Sequence, residues 1–127
     1  MSQRHGDYLD YPFVADSDLS HFMYHIVTYG TDPNGVVPAT SASDTLAAVL
    51  LNKPTSGQDA QGCIHGCCKC AITGAYDRGD WLVCGDDSCA VVWDETPGVA
   101  SIGYVLSGSS NSSGTTIAEI FVSVGTL

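Results

Sequence analysis

Six cysteines carry the most reactive side chains of this sequence. They stand at Cys63, Cys67, Cys68, Cys70, Cys84 and Cys89. The pairs Cys67–Cys70 and Cys84–Cys89 have separations compatible with a zinc ribbon, in which two close pairs supply four tetrahedral sulfur ligands. Disulfides within or between subunits, involving any of the six, are a second interpretation, and buried reduced thiols are a third. The polar stretch at residues 1–10 resembles no secretory signal, which argues against routine oxidative folding.

Other residue types capable of chemistry stand in poor contexts. No G-x-S-x-G elbow and no glycine-rich phosphate loop occur. The adjacent carboxylates Asp86-Asp87 and Asp94-Glu95 would diverge in extended chain, which favours solvated turn charges over an acid/base pair. Arg78-Gly79-Asp80 directly precedes Trp81 and is typical of a β-turn that enters a strand. The sequence therefore predicts neither an enzyme nor a bound cofactor.

Charge and hydropathy exclude two classes of partner. The chain has 127 residues, with Lys+Arg 4 against Asp+Glu 14 and a formal net charge of −10. The basic surface that neutralises phosphates is missing, so we expect no nucleic-acid partner. No apolar run approaches the roughly 18 residues that span a bilayer, so we expect no membrane partner either. The length suits one domain with one core.

Short β-rich segments separated by turn residues dominate the chain. The predicted strands are 22–29, 36–37, 44–51, 62–73, 81–84, 89–93, 100–106 and 117–124. Segment 44–51 also allows a short helix, but Asn52-Lys53-Pro54 stops it at once, and we favour a buried strand. This pattern predicts an all-β fold, a small β-sandwich or β-barrel domain, over residues 21–127.

Residues 1–20 do not join the strand pattern. Tyr8, Tyr11 and Phe13 stand there among several aspartates. We predict an extended N-terminal arm whose aromatic rings would be exposed unless a partner surface buries them.

Several short segments resemble the capsid decoration (cement) proteins of tailed bacteriophages. The segments are 14–20, 47–54, Gly79-Asp80 and 102–106. The most specific piece is Leu51-Asn52-Lys53-Pro54 followed by Gly57-Gln58, and the resemblance runs from about Phe13 to the C-terminus. The cysteines at positions 63, 67, 68 and 70 depart from the family pattern, which usually has apolar or small residues there.

The resemblance implies a compact β domain, commonly a homotrimer, made in the host cytoplasm and placed on the outside of the expanded phage head. There it would bind the major capsid protein and stabilise contacts between capsid subunits, without catalytic residues. Tyr8, Tyr11 and Phe13 would be the capsid-contact residues, since aromatic rings on an arm can enter a capsid groove. The alternative function is a small zinc-ribbon binding module that uses Cys67, Cys70, Cys84 and Cys89.

Overall fold

The computed structural model describes residues 8–127, and every helix or strand element among them is a β-strand. The nine strands are β1 (Tyr8–Ala15), β2 (Ile26–Tyr29), β3 (Gly35–Pro38), β4 (Leu46–Leu50), β5 (Asp59–Thr73), β6 (Trp81–Cys84), β7 (Ala90–Val92), β8 (Ala100–Val105) and β9 (Thr115–Thr126). The all-β prediction is confirmed. Segment 44–51 contains strand β4 and no helix, and all five residues of β4 are buried.

The nine strands form one mixed sheet that closes on itself twice. One circuit runs β1-β3-β2-β4-β5 and is closed by pairing of β1 with β5. The other runs β5-β7-β6-β8-β9 and is closed by pairing of β9 with β5. The 15-residue strand β5 is therefore shared by two small barrels. Closure leaves few free sheet edges, which limits edge-to-edge aggregation.

Two clusters of buried side chains fill these barrels. The smaller cluster comprises Phe13, Ala15, Leu19, Val27, Val36, Ala47, Ala48, Leu50 and Ala60. The larger one is built mainly from β5 to β9 and includes Ile72, Leu82, Ile102, Ile120 and Val122. Four cysteines belong to this larger core: Cys63, Cys68, Cys70 and Cys84. They occupy positions that aliphatic residues would otherwise fill.

The predicted N-terminal arm enters the first barrel. Residues 8–15 form β1, which lies antiparallel to β5 from Tyr8↔Gly66 to Val14↔Asp59. Residues 8–15 join the sheet because side chains alternate between the two faces of a strand, and this alternation buries Phe13 and Ala15 in the smaller cluster. Residues 1–7 of the arm lie outside the described residues.

The second strand also begins later than the sequence predicts. Residues 19–25 form turns, in which the Phe22 amide donates to the Leu19 carbonyl at 3.0 Å and the His25 amide to the Phe22 carbonyl at 2.9 Å. Tyr24 has a φ of 71°, which extended chain does not tolerate. Strand β2 therefore starts at Ile26.

Candidate contact surface

Strands β1 and β2 bring three aromatic rings together at the surface of the first barrel. The ring centroids of Tyr11 and Phe13 lie 4.8 Å apart, and those of Phe13 and Tyr29 lie 6.4 Å apart. Phe13 is 6 % exposed, whereas Tyr11 is 42 % and Tyr29 57 % exposed. Phe13 therefore forms the floor on which the two tyrosines rest.

These rings line an open depression of about 430 Å³, which we call the aromatic groove. Its lining is uncharged and consists of Tyr11, Phe13, Tyr29, Pro33, Asn34, Leu46, Ala47, Ile64 and Val124. Of the three predicted contact residues, the groove thus unites Tyr11 with Phe13. Tyr8 instead packs against the larger core cluster.

One wall of the aromatic groove is the β2–β3 loop, which Asp16 fixes in place. The Asp16 carboxylate accepts hydrogen bonds from the Thr31 amide at 2.8 Å and the Asp32 amide at 3.3 Å. A Cβ at Gly30 or Gly35 would collide with this carboxylate, so both glycines are required for its close approach. Hydrogen bonding to the Asp32 side chain, and then to these amides, lowers the pKa of Asp16.

A second depression of about 440 Å³ adjoins the aromatic groove. Leu46 and Val124 line both, so the two form one continuous surface. We call the second one the acidic depression, because Asp44 stands in its wall among mostly small and polar residues: Ala42, Ser43, Thr45, Gly98, Ala100, Gly125 and Thr126. The Asp44 Oδ2 accepts a hydrogen bond from the Thr40 amide at 2.9 Å, which holds the carboxylate in position.

The second barrel carries a separate row of rings across neighbouring strands. Centroid distances are 5.1 Å for Trp81–Tyr104, 5.6 Å for Tyr104–Phe121 and 5.1 Å for Phe121–His65. The register places Trp81 opposite Tyr104 and Tyr104 opposite Phe121. These are cross-strand pairs of the kind that stabilises sheets, and they explain the row without a ligand.

Five of the six cysteines are buried, and all six are thiols in the described structure. Burial raises the pKa of the Cys70 thiol and raises that of Cys84 to about 12. The Cys63 and Cys68 thiols interact with each other, which lowers the pKa of Cys63 and raises that of Cys68. The Cys89 Sγ lies 3.7 Å from the His25 Nδ1. Burial thus keeps most of these thiols protonated and unreactive.

The four cysteines of the alternative zinc-ribbon interpretation are not assembled into such a site within residues 8–127. Cys67 pairs with Phe121 and Cys70 with Ala118 along a regular register, so the two side chains point to opposite faces of β5. Within residues 8–127, no group of three or more His, Cys, Asp or Glu side chains is arranged to hold a metal ion.

The predicted turn at Arg78-Gly79-Asp80 is confirmed. The Asp80 amide donates to the Asp77 carbonyl at 3.1 Å, and the Asp80 carboxylate accepts from the Asp77 amide at 2.8 Å. Gly79 has a φ of 93°, which favours glycine. The Asp80 carboxylate is therefore engaged by its own turn.

The paired carboxylates predicted as turn charges also bond locally. Asp87 accepts from the Cys89 amide at 3.1 Å, and Asp94 from the Thr96 amide at 3.0 Å. Both carboxylates thus stabilise tight turns.

Sequence reasoning missed Tyr29 and Asp44 as members of the candidate contact surface. Tyr29 belongs to a correctly predicted strand run, but only the β1–β3–β2 pairing places it beside Phe13. Asp44 precedes β4 and carries no motif of its own. Knowledge of strand order would have been needed to find either residue.

In the described part of the chain, no helix is long and apolar enough to cross a membrane.

Comparison with known proteins identifies the fold. No family model and no curated protein matches this chain. Among solved structures, the chain is similar to the N base of head fiber gp8.5 in bacteriophage phi29, with a TM-score of 0.65 and 17 % sequence identity. The match covers 91 % of this chain and 93 % of the other. The chain therefore shares the fold of a phage head-fiber base over nearly its whole length.

Proposed function

We propose that this chain is a structural protein of a phage virion that binds the outer surface of the head and contacts the major capsid protein. The observation that carries the proposal is the fold likeness to a head-fiber base, which spans more than nine-tenths of both chains. The short segments that resemble capsid decoration proteins support it independently.

The aromatic groove is the proposed capsid-contact site. Tyr11 and Tyr29 offer exposed ring faces together with hydroxyl groups, a combination that suits an interface with apolar and polar parts. Phe13 would support the site without being exposed, because its buried ring packs against those of the two tyrosines. Tyr8 contributes indirectly, through its packing at the start of β1.

Stabilisation of the capsid would follow from mass action. A protein that binds only the expanded shell lowers the free energy of that state, more strongly as its concentration exceeds its dissociation constant. If three copies associate as a homotrimer, weak contacts to neighbouring capsid subunits add up. This mechanism requires neither a catalytic residue nor a cofactor.

Binding to heads tests the proposal. The purified full-length chain is mixed with expanded heads that lack it, taken from the phage that encodes it, and bound protein is measured by co-sedimentation. We expect saturable binding by the wild type and a loss of affinity of about tenfold or more for the Tyr11→Ala/Tyr29→Ala double variant, since interface tyrosines are frequent hot spots.

Leu9→Ala is the matched control, because Leu9 is exposed on the same strand but does not line the groove. Its affinity should equal that of the wild type. Absence of wild-type binding to expanded heads would contradict the proposed function.

A further inference from the structure

We propose that the aromatic groove and the acidic depression form one channel, which takes an extended segment of the capsid protein with an apolar anchor residue and a basic residue a few positions away from it. The anchor would lie on Tyr11, Phe13 and Tyr29, and the basic side chain would lie beside Asp44. This inference rests on the proposed function, since it names the part of the capsid protein that the same surface recognises.

Continuity of the two depressions indicates an elongated occupant. Leu46 and Val124 form a shared wall, and each depression is open to solvent. Each has room for a few side chains, at about 430 and 440 Å³. A single protruding residue would fill one depression and leave the other empty, whereas an extended chain would occupy both.

The chemistry of the channel changes along its length. At one end the lining is aromatic and aliphatic, with Tyr11 and Tyr29 exposed around the buried Phe13. At the other end it consists of small and polar residues with the carboxylate of Asp44. The occupant should therefore be apolar at the first end and hydrogen-bonding and cationic at the second.

Charge complementarity predicts the sign of the charge on the partner segment. Among residues 8–127, no Lys or Arg lines either depression, and the whole chain has a formal net charge of −10. Asp44 uses Oδ2 to accept from the Thr40 amide, which leaves Oδ1 for a partner. A partner segment with Lys or Arg at this point would be attracted, and an acidic one would be repelled.

Backbone pairing with β1 is disfavoured as the binding mode. The Ala15 amide donates to Gln58 of the β5 side, and the Val14 amide donates to Asn34 of the β3 side. By alternation, position 12 faces the same side as Val14, and Pro12 has no N–H to offer there. Pro12 thus disfavours the addition of a further strand at this edge of β1. The bound segment should therefore be recognised through side-chain contacts and not through backbone pairing.

Asp44→Lys and Asp44→Asn test the basic part of the proposed segment. We expect Asp44→Asn to weaken binding to expanded heads about three- to fivefold at low ionic strength, with a flatter salt dependence than the wild type, and Asp44→Lys to weaken it further. Asp86→Asn removes the same charge from the exposed β6–β7 turn and should bind as the wild type does. Tyr29→Ala should weaken binding at every salt concentration.

Carbodiimide coupling then identifies the partner residue. The reagent joins a carboxylate to a lysine amine in contact with it, by forming an amide and releasing a urea. We expect mass spectrometry to find Asp44 joined to a capsid-protein lysine that lies a few residues from an apolar side chain. An arginine partner would give no adduct but the same losses in the Asp44 variants.

Two outcomes would overturn the inference without touching the proposed function. The first is that Asp44→Lys binds heads with the same affinity as the wild type at low ionic strength. The second is a change in the mass of the free protein in sedimentation velocity with Tyr29→Ala, which would show that a second copy covers the groove. Failure of the wild type to bind heads at all would instead contradict the proposed function.

Discussion

At the scale of single residues, the cysteines show how spacing along the sequence and position in the fold diverge. Cys67 and Cys70 have the separation of a zinc-ligand pair, but they lie on a strand. Side chains three positions apart on a strand point to opposite faces, so this pair does not converge on one metal ion. The buried cysteines act as small apolar residues of the core. Spacing alone could not reveal this, because it depends on whether the segment is a turn or a strand.

Burial predicts the order in which the thiols react. In native protein treated with iodoacetamide, Cys67 should be alkylated first, since it is partly exposed, while Cys70 and Cys84 stay unmodified. Burial raises the pKa of both buried thiols, so little thiolate forms. Mass spectrometry of the digested protein measures each site. Denatured protein, in which all six should react, is the control, and rapid native alkylation of Cys70 would contradict the packing described.

At the scale of elements, the strands with clear turn boundaries are predictable from sequence. Strands β4, β6 and β8 lie within one or two residues of their predicted bounds. Strand β5 starts earlier than predicted, at Asp59, where glycines and polar residues weaken the signal. Strand β1 was hidden because its aspartates and proline are typical of loops. Pairing with β5 overrides these local preferences, and local sequence cannot show it.

Surface carboxylates that accept hydrogen bonds should make the fold sensitive to acid. Hydrogen bonds lower the pKa values of Asp16, Asp18 and Asp94 below the usual 3.8, so their contributions are present above that pH and are lost as the pH falls through the folded values. The side-chain hydrogen bond with Asp16 raises the pKa of Asp32. The contribution of Asp32 to stability is therefore present at low pH and is lost as the pH rises through its folded pKa. The urea concentration at the unfolding midpoint should therefore decrease as the pH is lowered below about 4.

Asparagine variants separate the two members of this carboxyl pair. Asp16→Asn should lower stability at neutral pH and flatten the acid dependence, because it replaces the charged acceptor of the Thr31 and Asp32 amides with a neutral amide oxygen that does not titrate. Asp32→Asn should be at least as stable as the wild type at neutral pH, since it removes a like charge. Asp86→Asn is the neutral control. An acid dependence unchanged in Asp16→Asn would contradict the role given to this carboxylate.

At the scale of the whole molecule, the two closed circuits of strands make a small body with few open edges. Such a body suits a protein that remains on a particle surface and presents contacts from a fixed scaffold. The fold class could be predicted from the sequence, and two residues expected to contact a partner, Tyr11 and Phe13, lie in the aromatic groove. The groove itself could not, because it arises where β1, β2, β4, β5 and β9 meet, and only the sheet order brings these strands together.

The excess of acidic residues also has its meaning at this scale. A formal net charge of −10 disfavours contact with nucleic acid, and under the proposed function it would keep a dense outer layer of copies soluble. Under the same proposal, it would favour a capsid surface that carries positive charge at the contact.

An image reconstruction of the virion that encodes this chain tests the central claim most directly. The proposal predicts density of this two-barrel fold on the outer surface of the head, with the aromatic groove facing the major capsid protein. Absence of the chain from purified particles, or density inside the shell, would contradict it.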